Sequence, residues 1–181
     1  MKDTVIAVLF CSLLVACGGN ALTTPNATRG DSGNQTAGNS AVAIPTPSDK
    51  FTPQDIAKLK WIEGDWRGMD GDKPFYERYK LEGTSLVVDS IKDEEFKEVD
   101  ETGKFELANG EFGKTEGDQR SAASSITDRS IQFVPAPGSK GNMFRFEQVD
   151  TNKWHAILEM PSNPDPERRR KVYVMERWPK K

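Results

Sequence analysis

The chain has 181 residues, with 28 acidic against 25 basic side chains and one histidine, for a formal net charge of −3. Before Phe51 the charges cancel (Lys2, Arg29 and Lys50 against Asp3, Asp31 and Asp49), so the whole negative balance belongs to residues 51–181 and excludes the basic footprint of a nucleic-acid binder. Both cysteines, Cys11 and Cys17, lie at the N-terminus, which removes thiolate metal sites, nucleophilic thiols and disulfide frameworks from everything after residue 17.

Lys2 supplies a positive start, with Asp3 beside it, and an apolar run follows from Val5 to Ala16, broken only by Ser12. That run is shorter than the about 20 residues a membrane-spanning helix needs, and it has the length of a signal-peptide core. It ends in Leu14-Val15-Ala16-Cys17-Gly18. This ending resembles the lipobox of bacterial lipoprotein precursors. The resemblance implies that residues 1–16 are a signal peptide cut before Cys17, and that the Cys17 thiol carries diacylglycerol. It also implies a cell-envelope protein, and Gly18 after the cysteine favours the outer membrane, facing the periplasm. Residues 17–50 are then a tether: Asn, Thr, Gly, Ser, Ala and Pro in mixed order cannot bury enough apolar surface to offset the entropy of ordering.

Residues 51–181 have the size of one domain. Thr52-Pro53-Gln54-Asp55 predicts a short helix, with Thr52 as N-cap and Pro53 at the first helical position. Ile56, Leu59 and Ile62 fall near one face of it, and Gly64 ends it. Strands follow. Phe75–Leu81 is aromatic-rich and Thr84–Ile91 is β-branched. Gly103 divides two short segments, Glu94–Val99 and Lys104–Leu107, before the Asn109-Gly110 hairpin turn. Ser121–Thr127 and Ser130–Val134 flank a tight connection at Asp128-Arg129, and a Pro-rich loop follows. Asn142–Val149 and Trp154–Met160 alternate, the first with Phe144 and Phe146 on one face and the second with Trp154, Ala156 and Leu158. Lys171–Trp178 is the last strand. Eight to ten short strands at regular spacing predict an all-β antiparallel barrel or sandwich.

Trp61-Ile62-Glu63-Gly64-Asp65-Trp66, at the junction of helix and first strand, resembles the opening of calycin (lipocalin-like) barrels. Phe75-Tyr76-Glu77-Arg78-Tyr79 and Gly83-Thr84-Ser85-Leu86 extend the likeness to a family of uncharacterised bacterial domains, which usually carry Trp where this chain has Tyr79. It spans mainly the first forty residues of the domain. The resemblance implies a small closed barrel in which Trp66 seals one end and a basic side chain of the last strand, here Arg177, packs over it.

No phosphate loop, dinucleotide fingerprint or nucleophile elbow occurs, so no enzyme activity and no cofactor is expected. His155 is the lone histidine and alternates away from Trp154 and Leu158, which reads as a surface position rather than a haem ligand. Asp93-Glu94-Glu95 lacks calcium-loop spacing, and no metal site is expected. Arg168-Arg169-Arg170-Lys171 reads as a solvated loop or strand start. The reading that remains is a binding module for a small apolar or amphipathic ligand, lined by Phe75, Tyr79, Phe144, Phe146, Trp154 and Leu158 with Glu77 as the polar contact. The alternative is a barrel filled by its own side chains that docks an envelope partner protein.

Overall fold

The computed structural model describes residues 45–179 apart from 118, 140 and 162. The expected signal peptide, Cys17 and the expected tether as far as residue 44 lie outside the described residues. Ten strands form one closed antiparallel barrel: β1 (Gly64–Asp70), β2 (Lys73–Glu82), β3 (Ser85–Ile91), β4 (Val99–Ala108), β5 (Glu111–Glu116), β6 (Gln119–Ile126), β7 (Ser130–Pro135), β8 (Met143–Asp150), β9 (Lys153–Glu159) and β10 (Arg170–Arg177). Each strand pairs with its sequence neighbours, and β10 closes on β1 through Trp66 opposite Arg177 and Arg67 opposite Glu176. The all-β antiparallel barrel expected from the strand spacing is the fold.

A short helix, α1 (Pro53–Ala57), runs into a 3₁₀ turn, Lys58–Ile62, ahead of the barrel. Its start is a capping box: the Thr52 hydroxyl accepts from the Asp55 N–H, and the Asp55 carboxylate accepts from the Thr52 N–H at 2.9 Å. Ile56, Leu59 and Ile62 are fully buried and form a plug over one barrel end. Gly64 opens β1 rather than ending the helix, because the 3₁₀ turn stops at Ile62 and the chain enters the sheet at once.

Two sequence expectations need correction. Gly103 does not break the chain; it sits inside the continuous strand β4, where it lies opposite Val88. Glu94–Val99 is not a strand but mostly the loop between β3 and β4, held outside the barrel by aromatic contacts. Phe96, at φ 56°, meets the outward ring of Tyr76 edge-on at 5.7 Å, and the Trp178 indole N–H donates to the Glu94 carbonyl at 3.0 Å. Strand β5 is an addition: its sequence, Glu-Phe-Gly-Lys-Thr-Glu, has no β-branched run to announce it. Ahead of the helix, the Ser48 N–H donates to the Ala123 carbonyl at 2.9 Å.

Candidate functional site

Strand alternation divides the inward residues into three zones. At the plugged end, Trp66 donates its indole N–H to the Ile62 carbonyl at 2.6 Å, tying the first strand to the 3₁₀ turn. The Arg177 guanidinium lies over the Trp66 ring at 4.1 Å and donates to the Glu63 carbonyl at 3.0 Å. A cation over an indole contributes about 0.5–2 kcal/mol, and here it also covers the end of the ladder where β1 and β10 meet. The approach requires a glycine at Gly64. Its φ is +121°, and a Cβ there would collide with the Arg177 guanidinium. Arg177 is part of the closure, not of an open site.

The middle zone is aromatic. Trp154 meets Trp66, Tyr79 and Phe146 at 6.0, 5.5 and 5.0 Å in edge-on contacts. Phe133 stacks on Phe144 at 4.6 Å and lies 4.6 Å from Phe105. Phe146, Trp154, Phe105, Phe112 and Phe133 are fully buried. Of the residues singled out in the sequence as lining, Tyr79, Phe146 and Trp154 are therefore core packing, in contact with one another. Such ring pairs add about 0.5–1.5 kcal/mol each beyond the area they bury. The Trp154 indole N–H is buried with no acceptor among the described residues.

The third zone faces the opposite, unplugged end and is mixed in character. Phe75 is half-buried; its ring lies over Gly68 and meets Tyr173 edge-on at 5.6 Å. Phe144 and Leu158 are also half-buried and pair across β8 and β9. On the other wall the inward positions are polar: Ser90 opposite Glu77, Glu101 opposite Ser90, and Lys114, two residues after the inward Phe112. Between these walls sits Glu77, 3% exposed. Its carboxylate accepts from the Tyr79 hydroxyl at 2.7 Å. Burial pushes the Glu77 carboxyl up to about 7, against the opposing pull of that hydrogen bond and of the Lys114 charge. Tyr79 is held well above its ordinary value by burial and then by the neighbouring carboxylate, so its hydroxyl stays a donor.

Beside Lys114 the barrel wall is split. β4 and β5 pair only at Glu106–Gly113, Leu107–Phe112 and Ala108–Glu111, and beyond these they diverge around a cleft of about 640 Å³. Glu101, Thr102, Lys104, Lys114 and Thr115 are among its lining residues. Sequence reasoning missed Lys114 and Glu101. The signal was available for the first: a two-residue turn at Asn109-Gly110 forces a return strand, and alternation from an inward Phe112 carries Lys114 inside.

Among the described residues, no three of His, Cys, Asp or Glu gather to hold a metal ion. His155 lies on the outer side of β9, partly exposed. No family model, curated protein or solved structure compared with the chain matches it.

Proposed function

We propose that the chain is a lipid-anchored envelope protein whose calycin-like barrel binds a small amphipathic molecule at its unplugged end. The apolar part of the ligand would lie against Phe75, Phe144 and Leu158, and its polar or cationic group would meet Glu77. The observation that carries this reading is Glu77 itself. An interior carboxyl whose partner is a neutral hydroxyl is costly for folding alone. Placed between an apolar and a polar wall, it is a suitable recognition group. The anchor rests on the Leu14-Val15-Ala16-Cys17 ending and the low-complexity tether, the periplasm-facing outer-membrane location on Gly18, and the calycin assignment on the Gly64-Asp65-Trp66 opening. No catalytic role is assigned.

The second reading, a filled barrel that docks an envelope protein, draws on the aromatic middle zone, where rings occupy the interior. Native mass spectrometry of the protein extracted gently from its producing cells separates the two. A reproducible extra mass, lost on denaturation and reduced in Glu77→Gln, is the expected result. A bare mass that stays bare after incubation with envelope lipid extract would overturn the carrier reading and favour the docking barrel.

A further inference from the structure

The split between β4 and β5 exposes backbone as well as side chains. The Leu107 N–H donates to the Thr84 carbonyl on the β3 side at 3.2 Å, so odd-numbered residues at this end of β4 direct their peptide groups to β3. Even-numbered residues direct theirs toward β5, consistent with the pairing of Ala108 with Glu111 and of Glu106 with Gly113. The next two in that series are Lys104 and Thr102, and no strand pairs with them on that side among the described residues. On the facing wall the same series runs Glu111, Gly113, Thr115, and among the described residues Thr115 likewise has no β4 partner. The slot is thus bordered on both sides by peptide N–H and C=O groups at strand spacing. An unpaired edge of this kind is a template for another strand.

Several candidate occupants fail on chemistry. An aliphatic chain offers neither donors nor acceptors, and a compact polar solute cannot match alternating donors and acceptors along a strand. An extended peptide supplies both, in register. The inward side chains at the slot add a preference of sign. Glu101 and Glu116 face Lys114, which is paired with Glu116 at 2.8 Å, and around the cleft as a whole Asp49, Glu101, Glu106, Glu111 and Glu116 outnumber Lys104, Lys114 and Arg120.

We propose that the β4–β5 slot is a strand-accepting site, which takes an extended peptide with one Lys or Arg side chain turned toward the barrel interior. The peptide completes the ladder that β4 and β5 leave open, and its cation meets the acidic inward groups. The slot adjoins the unplugged end through Glu101 and Lys114, while its strand pairing rests on the β4 and β5 backbone and does not depend on a small ligand.

The test uses the full-length chain in non-ionic detergent, labelled for amide NMR, and acetyl-TVTKTVT-amide as the probe. Saturable shifts and slowed hydrogen exchange are expected at the Thr102, Lys104 and Thr115 amides. The same peptide N-methylated at alternate residues keeps every side chain and loses the hydrogen bonds to one wall, so it should not bind. The peptide with Glu in place of its Lys should bind about tenfold more weakly. Equal binding of the N-methylated peptide, shifts confined to other strands, amides already protected in the free chain, or no saturation up to about 1 mM would each overturn the proposal.

Discussion

A carboxyl group held among aromatic rings loses the hydration that stabilises its charge, and the consequence can be read in stability as well as in binding. Glu77 is raised from 4.5 to about 7 by burial. In the unfolded chain it releases its proton near the ordinary value, so between about pH 4.5 and 7 the folded state holds more proton than the unfolded state. This group therefore favours folding at the acidic side, and its contribution is lost as pH rises through that window, by roughly 3 kcal/mol at most. Glu77→Gln keeps an oxygen to accept from Tyr79 and carries no charge. The variant should match the parent at pH 5 and exceed it in urea midpoint at pH 8. Equal midpoints at both values would mean that Glu77 is solvated or ion-paired when charged. At this scale the sequence was partly legible. Alternation set Glu77 on the face of Phe75 and Tyr79, and its hydrogen-bond partner is two residues along the same face. The lysine acting on it comes from a strand that the sequence did not announce.

Strands were legible where residue type and alternation agreed. β2, β3, β8, β9 and β10 carry aromatic or β-branched runs, and their bounds follow the pattern within a few residues. β5 fails that test because half of it is charged and one position is glycine; it is a strand because a turn returns it to the sheet. That turn carries the prediction for this scale. Asn109 and Gly110 have φ of 52° and 81°, the double left-handed geometry of a two-residue hairpin. A Cβ on Gly110 would also collide with the Asp49 carbonyl, next to the point where the Phe51 N–H donates to the Gly110 carbonyl at 2.8 Å. Gly110→Ala should therefore destabilise by about 1–3 kcal/mol in urea unfolding, from backbone strain and displacement of the entering segment. A neutral result would show that the turn relaxes without moving residues 49–51. The filling of the interior was not legible in any single element. Tyr79 on β2 meets Phe146 and Trp154 on β8 and β9, and Phe105 on β4 meets Phe133 on β7, because the sheet curves around a common axis, which is a property of closure rather than of local pattern.

Among the described residues the middle of the barrel is aromatic and the outward faces are charged. The outward faces carry ion pairs such as Lys80–Asp89 at 2.9 Å, Lys104–Glu106 at 2.5 Å and Arg145–Glu147 at 3.2 Å. A barrel that spans a membrane has the reverse arrangement, with an apolar outer band and a polar lumen. No helix among the described residues is long and apolar enough to cross a membrane. In the proposed reading the membrane attachment falls to acyl chains on Cys17. Each buried CH₂ contributes about 0.8 kcal/mol; one chain holds marginally and two or more hold stably. Cys17→Ser should abolish palmitate labelling and move the protein from the detergent phase to the aqueous phase, because without the thiol no diacylglycerol is transferred. The same variant should unfold at the parent's urea midpoint, since Cys17 lies ahead of every described residue that packs on the barrel. A Cys17→Ser chain that stays with the membrane fraction would place the attachment elsewhere, with the exposed apolar positions on β1 and β10 (Met69, Val172 and Val174) next in line for substitution.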